Sequence, residues 1–416
     1  MILLKNATII DATSTLNGKK RDVLIKNGKI EKIASSIENS DAKIIQKDNL
    51  HLSIGWMDTS VSLGEPGFEE RQTLKNGIKA AAAGGFTTIM LNPNNQPNPQ
   101  DQSGVMYLKN VTANQAVSIL PVGSFTLHQD GEHLAELYDM QKAGAVSFYD
   151  YKHEVTNANL LKVGLQYTSS FNSVVQSYPQ NKDIAGKGIV NEDLVSTNLG
   201  LKSMPSLAEE LQIARDLRIA AYTKGRLHIP TVSTTEGLKL IKEYKKSSKN
   251  VSCSVSIHHL TLSSNELESF DANFKLQPPL RDDKEVKQLQ KFLNSDVIDV
   301  VTSDHMPLTI EHKDLEFDRA TAGTIGMESA FGALNNLIAT DKAVELLTNG
   351  YTVFNQDRPQ IEEGQIANLT IFEPDTSYTF EKSNIVSTSK NSAFLGKTMK
   401  GKVIGIINNK KALWNE

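Results

Sequence analysis

Ile54-Gly55-Trp56-Met57-Asp58-Thr59-Ser60-Val61-Ser62-Leu63-Gly64-Glu65-Pro66-Gly67 reads as a hydrophobic strand running into a polar turn. Ala80-Ala81-Ala82-Ala83-Gly84-Gly85 follows as a helix-like segment, and Phe86-Thr87-Thr88-Ile89-Met90-Leu91 as a second strand. Strand, helix and strand at this spacing make a βα unit, which requires parallel pairing. Outward from it the pattern continues. Further strands are expected at Ala116 to Leu120, Ala145 to Phe148, Ser173 to Gln176, Arg226 to Ile229, Val251 to Ile257 and Val297 to Thr302. Between them lie helical stretches such as Ser206 to Arg215, where Ser206 and Glu209 predict a capping box and Leu207, Leu211 and Ala214 predict one apolar face. This alternation predicts an α/β fold, a TIM-type (β/α)8 barrel over residues 56–354. An open doubly wound sheet is the alternative. It would want a glycine-rich phosphate turn after an early strand, whereas Gly84-Gly85 precedes one.

Both ends of the chain have a different texture. Met1 to Leu4, Ala7 to Ile10, Asp22 to Ile25 and Lys29 to Ile33 are β-rich, and Asn27-Gly28 is a hairpin signal. Ala367 to Phe372 and Val403 to Leu413 are strand-like again. Residues 1–55 and 355–416 are therefore expected to build one small β-sandwich-like domain. Two unrelated terminal hairpins are the alternative.

The chain has 416 residues, 39% hydrophobic and 22% charged, with a formal net charge of -4, so a soluble globular protein is expected and neither nucleic acid nor an anionic membrane is an expected partner. One cysteine, Cys253, permits no internal disulfide and no cysteine-rich zinc site, and suits a reducing compartment. The start lacks a signal-peptide pattern, and no apolar run reaches membrane-spanning length. A cytoplasmic location is the expectation.

Several stretches, taken in order, resemble the dihydroorotases, cyclic amidohydrolases of the amidohydrolase superfamily. They are Glu65-Pro66-Gly67-Phe68-Glu69, Ala80 through Thr88, Ala185-Gly186-Lys187-Gly188 with Asn191-Glu192, and Pro278-Pro279-Leu280-Arg281. Val301-Thr302-Ser303-Asp304-His305-Met306-Pro307, Gly326-Met327-Glu328 and Phe394-Leu395-Gly396 complete the series. Each match is short, but their order over several hundred residues is specific. The resemblance implies a barrel whose strand ends carry a zinc site for reversible closure of N-carbamoyl-aspartate to dihydroorotate.

The positions that would carry that chemistry depart from the family's pattern. Where the family has His-x-His on the first strand, this chain has Ser60 and Ser62, and the substrate-carboxylate arginine is Gly64. The later histidines correspond to Tyr178 and Thr231, and a substrate-side histidine to Leu308. By the same resemblance Asn94 keeps a substrate-binding asparagine, Asp150 an acidic metal-site position, and Asp304 the proton-transfer aspartate, with His305 beside it as a second substrate-side residue. Hydroxyls are poor neutral ligands for zinc, and Asp150 with Asp304 would be the only residual ligands. Lowering a bound water's pKa from about 15.7 to about 7 is worth roughly 12 kcal/mol, which general-base help of about 10² to 10⁴ in rate does not replace. No cofactor is expected.

The other histidines have plain readings. His258-His259 is expected to pack structurally on a strand, and His51, His128, His133, His153 and His312 to lie in polar, surface-type surroundings. Cys253 reads as a buried strand residue, and no Gly-x-Ser-x-Gly context makes Ser60 or Ser62 a nucleophile. The resemblance implies three functions. The first is a non-catalytic partner, with aspartate carbamoyltransferase as the partner the family suggests and a homodimer as its expected assembly. The second is an active cyclic-amide hydrolase on a reduced metal site. The third is a sensor of a pyrimidine metabolite, with Asn94 and His305 facing the ligand.

Overall fold

The computed structural model describes residues 1–415, so Glu416, the last residue of the expected 355–416 segment, lies outside them. Trp56–Val61, Phe86–Leu91 and Ser118–Pro121 pair in parallel. So do Ser147–Phe148, Val174–Gln176, Arg226–Ile229, Val251–Ser256 and Val300–Thr302. Two parallel bridges join the sets, Gly123 to Phe148 on one side and Val61 to His305 on the other. The Ser62 amide reinforces the second by donating to the His305 carbonyl at 2.8 Å. Eight parallel strands thus follow one another round a curled sheet, with helices in the connections.

Parallel strands covered on both faces are buried along their length, and every residue of Trp56–Val61 and Phe86–Leu91 is, Asp58 among them with its carboxylate bonded to Thr302 and Ser303. Met57, Met90, Val174 and Val300 fill the inside with Tyr149, Tyr151 and Tyr178. Outside, helices such as Leu74–Ala83 bury Leu74, Ile78 and Ala81 against the strands. The predicted strand at Arg226 to Ile229 matches the observed bounds. That at Val251 to Ile257 stops at Ser256, whose hydroxyl accepts from the His259 amide and opens the short helix Ile257–Thr261. His258 and His259 therefore sit on a helix and not on a strand. The strand expected from Val297 begins only at Val300.

The helix Leu207–Thr223 corrects two expectations. Ser206 is itself helical (φ -57°, ψ -27°) and caps nothing. Leu207 and Leu211 are 47% and 45% exposed, and the buried face is Ala208, Glu209, Gln212, Ile213, Asp216, Leu217 and Ala220. The reason is polar burial. Glu209 turns inward to accept from the Ser233 and Thr234 amides and to pair with Arg281 at 3.2 Å, so the inward face is not the most apolar one.

The two chain ends share one eight-stranded sheet. Its path runs Lys411–Trp414, Thr398–Asn408, Leu369–Thr379, His51–Ile54, Ile2–Ile10, Lys20–Lys26, Lys29–Ala34, with Lys43–Gln46 also on Ile2–Ile10. The antiparallel pairing of Leu369–Thr379 with His51–Ile54 stitches C-terminal to N-terminal strands. At the hairpin tip Asn27 and Gly28 both take positive φ, 52° and 75°, the two-residue turn that matches strand twist. Leu4, Ile9, Val23, Leu52, Leu369 and Ile371 form a core of their own. Phe372 leaves that core to pack on Trp56 at 5.3 Å, tying the sheet to the barrel strands. Among the described residues no helix is long and apolar enough to cross a membrane.

Candidate functional site

Catalysis in parallel barrels resides where strands end at their C-terminal edge. Here that edge carries Ser60 and Ser62, then Asn92 and Asn94 after the second strand, Tyr149 to Lys152 after the fourth, Tyr178 after the fifth, Thr231 after the sixth and Asp304 after the eighth. A hydrogen-bonded chain links most of them. Asn94 Nδ2 donates to Ser62 Oγ at 3.0 Å, and Asn92 Nδ2 reaches Ser62 and Ser60 at 3.2 and 3.3 Å. Ser60 Oγ donates to Asp304 Oδ1 at 3.1 Å. The chain ends on Lys152 Nζ, which donates to Asp304 Oδ2 at 2.9 Å.

Burial alone would lower the Lys152 ammonium. The charges of Asp304 and then Tyr151 outweigh it and hold the lysine above its ordinary range. Burial raises the Asp304 carboxyl, and Lys152 followed by Ser60 opposes that rise. The Tyr151 ring lies 5.3 Å under the ammonium, a cation–π contact. Lys152 (φ 57°), Thr231 (φ 48°) and Asp304 (φ 45°) are all left-handed, a conformation that costs β-branched Thr231 most.

The residues singled out from the sequence divide into groups. Ser60, Ser62, Asn94 and Asp304 meet in the network just described. Asp150 stands apart from it: its carboxylate accepts from the Phe125 and Thr126 amides, both at 2.9 Å, and from Thr126 Oγ1 at 2.6 Å. Burial raises it to about 6 against those bonds. His305 also faces elsewhere. Its Nε2 meets Gln72 Oε1 at 2.8 Å and its Nδ1 accepts from the Gly326 amide at 3.2 Å, which fixes a neutral ring that burial holds down at about 3. Tyr178 is buried in the tyrosine cluster, its hydroxyl 3.3 Å from Gln180. Thr231 Oγ1 is buried with no partner. Leu308 is buried apolar lining. His258 stacks on Phe394 at 5.1 Å, and His259 bonds Ser256 and the Pro278 carbonyl.

The network opens on a cavity of about 610 Å³ lined by Asn94, Asn95, Tyr151, Lys152, Arg71 and Phe68, among others. His128 and His153 are exposed, as expected, and stand along its wall. Gly64 does not, and its replacement is built in. A Cβ there would fall 1.8 Å from the Phe68 carbonyl oxygen, because the turn closes through Gly64 N to Gln72 O and Phe68 N to Gly64 O, both 2.9 Å. Lys152, Arg71, Asn92 and Tyr151 were not foreseen. Lys152 follows directly on the Tyr149-Asp150-Tyr151 turn, so a cation beside an aromatic-rich strand end was the available signal. Among the described residues no group of three or more His, Cys, Asp or Glu side chains converges as a metal centre would.

A family model described as dihydro-orotase-like matches residues 51–237. A protein named dihydroorotase from Caldicellulosiruptor saccharolyticus is 38% identical over 423 residues, covering 99% of this chain and 98% of that one. Its namesake from Pelotomaculum thermopropionicum is 35% identical over 409 residues, covering 96% and 95%. Among solved structures, L-hydantoinase from Arthrobacter aurescens superposes with a TM-score of 0.86 at 20% identity, covering all of this chain and 96% of that one. Dihydropyrimidinase from Brevibacillus agri NCHU1002 gives 0.83 at 21% identity, covering 100% and 95%. Identities this low speak for the fold alone, an amidohydrolase fold, whereas the full-length matches above 30% carry the kinship. On those matches the chain belongs to the dihydroorotase-like family.

Proposed function

We propose that this chain is a dihydroorotase-like protein that does not run the family's metal-assisted ring chemistry and serves as a non-catalytic partner. The observation that carries this is the ion pair of Lys152 with Asp304. In the family the resemblance puts a zinc site here. The donors present do not fit zinc: Ser60, Ser62, Tyr178 and Thr231 offer neutral oxygens, and the carboxylate that remains is already neutralised by an ammonium. A cation would have to displace Lys152 from a buried partner, and buried charges left unpaired cost several kcal/mol, about 3–5. Asp150 gives no help, since its carboxylate is spent on Phe125 and Thr126.

The motifs that persist are those that hold the scaffold. Asp58 accepts from Ser303 and Thr302, Gln72 from His305, and Glu209 and Arg281 form a buried pair with Ser233 and Asn191. Met106, Tyr107, Tyr138, Val163 and Tyr167, on three successive helices, are exposed and large, which supports association with another chain. Aspartate carbamoyltransferase is the partner that family membership suggests, and a homodimer the other assembly.

The test is metal content of the purified protein together with a dihydroorotate hydrolysis assay with and without zinc. Near-zero metal and no turnover agree with the proposal. Stoichiometric metal with chelator-sensitive turnover would sink it and favour an active hydrolase. A sensor reading is favoured by one observation, the polar cavity of about 610 Å³ beside the pair.

A further inference from the structure

The helices that follow the first four barrel strands carry an unbalanced charge. Leu74–Ala83, Gln102–Val111, Leu137–Ala143 and Ala158–Ser169 hold five lysines, Lys75, Lys79, Lys109, Lys142 and Lys162, against one carboxylate, Asp139. That surplus of positive charge stands on a chain whose formal total is -4. On Thr235–Lys245, by contrast, Lys239 pairs with Glu236 at 3.1 Å, and on Thr340–Thr348 Lys342 pairs with Glu345 at 2.7 Å. Among the described residues none of the five makes an ion pair. Large apolar side chains stand among them. Tyr138 and Tyr167 both pack on half-buried Phe171, at 5.5 and 5.4 Å, yet remain exposed, and Lys142 lies over the Tyr138 ring at 5.3 Å. Lys109 stands at the same corner, since a Cβ on Gly144 would fall 2.6 Å from its Nζ. Its helix exposes Met106 and Tyr107, then Val111, which lines a groove of about 450 Å³ with Leu74, Ile78 and Leu413. Exposed Lys75, Lys79 and Lys411 line that groove as well. Its carboxylate, Glu65, is spent on the Leu74 amide at 2.8 Å.

Exposed apolar side chains gathered on neighbouring helices mark an interaction site, and here the lysines decide what covers it. In a two-fold dimer the same patch lies on both subunits, so lysine would meet lysine across it. Like charges set face to face oppose association, whereas opposite charges steer and select a partner. A nucleic acid would meet the charge but leave the groove and Met106 uncovered. We propose that this face docks a different protein, one that presents apolar side chains ringed by aspartate and glutamate. Tyr107, Tyr138 and the groove take the apolar contacts, and Lys109 and Lys142 take the acidic ones. The inference deepens the partner reading, on which it rests, by giving the partner's chemistry.

The test is fluorescence anisotropy on the full-length protein with four labelled polymers: a glutamate–tyrosine copolymer, polyglutamate, a lysine–tyrosine copolymer and polyuridylate. The glutamate–tyrosine copolymer is expected to bind saturably. The other three should bind at least about tenfold weaker, since each lacks the carboxylates or the apolar side chains. Lys109→Glu combined with Lys142→Glu, both at exposed positions, should weaken the copolymer by about tenfold or more. Lys239→Glu combined with Lys246→Glu, on the helix Thr235–Lys245 and its cap, should change it by less than about twofold, because exposed charges far from the contact are screened. Sedimentation velocity should give the parent and the Lys109→Glu, Lys142→Glu protein the same mass. A change of oligomeric state in that variant assigns the face to a second copy and overturns the proposal. So does equal binding of any of the other three polymers, equal weakening by the distant pair, or no saturable binding of the glutamate–tyrosine copolymer. Each of these leaves the absence of catalysis standing. Turnover of dihydroorotate by zinc-treated protein sinks the non-catalytic reading instead and leaves the polymer result for this face unchanged.

Discussion

The Lys152 ammonium and the Asp304 carboxylate stand 2.9 Å apart at the strand ends, with side chains 12% and 6% exposed. Both charges are out of water, so each depends on the other. Lys152→Met should cost about 3–5 kcal/mol, because it strands a buried carboxylate. The paired change Lys152→Met with Asp304→Asn should recover most of that loss, since neither charge then remains. Chemical denaturation measures both. A Lys152→Met protein as stable as the parent would mean that the pair is not what neutralises Asp304. The alkaline limb has a definite sign. The folded lysine lies above its ordinary 10.5, so its stabilisation is fully present below that pH and lost as pH rises through the folded value.

An internal cation also predicts indifference to metals. Chelator treatment should leave the melting temperature unchanged, and added zinc should not raise it. A metal bound at 100 times its Kd would stabilise by about 2.7 kcal/mol, several degrees in a melt. A zinc-dependent rise of that size, abolished by replacing Asp304, would contradict the donor-set argument.

Restoring the family's arginine at position 64 should fail. In Gly64→Arg the first side-chain atom already meets the Phe68 carbonyl, so the turn must open before the guanidinium reaches the cavity. Overpacking against backbone costs about 1–3 kcal/mol or more, and no gain in carboxylate binding is expected. Denaturation and calorimetry on this variant check both halves. Tighter carboxylate binding at undiminished stability would show that the turn is freer than its hydrogen bonds indicate.

How far the sequence carried is best seen residue by residue. Phe86 to Leu91 was legible because a strand buried on both faces is rich in apolar and β-branched residues, and all six of its residues are buried. The helix at Leu207 was misread because Glu209, Gln212 and Asp216 face inward, Glu209 meeting Ser233 and Arg281 at 24 and 72 residues away and Asp216 meeting Ser177 at 39. At the strand ends, family resemblance put Ser60, Ser62, Tyr178 and Thr231 on the map, since each stands at an aligned position. It could not supply Lys152 or Arg71, which have no counterpart in the expected ligand set. Their meaning depends on which side chains share a cavity, and no local pattern encodes that. Asp150 and Asp304 look alike in sequence. Only tertiary contacts give one to Thr126 and the other to Lys152.

Acid should unfold the protein by a route set in its core. His228, His258, His259 and His305 are all buried, and burial holds each down at about 3. Such groups contribute stability that is present above an unfolded pKa of 6.5 and is lost as pH falls from there toward 3. Asp58 and Asp150 act in the opposite sense. Burial raises both to about 6 from 3.8, so their contribution grows as pH falls through that window. Near pH 5 the four imidazoles take up protons on unfolding, whereas Asp58 and Asp150, with Asp216, Asp299, Asp304 and Glu328 also raised by burial, hold protons more readily in the folded chain. Each buried neutral imidazole steepens the acid loss by up to about 1.4 kcal/mol per pH unit, and each raised carboxyl offsets it. His305→Phe, which removes one such imidazole, should make the pH dependence of stability on the acid side less steep by up to about 1.4 kcal/mol per pH unit, while losing the Gln72 bond at neutral pH. Denaturant midpoints between pH 4 and 7 for parent and variant measure both slopes. Identical slopes in parent and variant would show that His305 is not held neutral in the folded core.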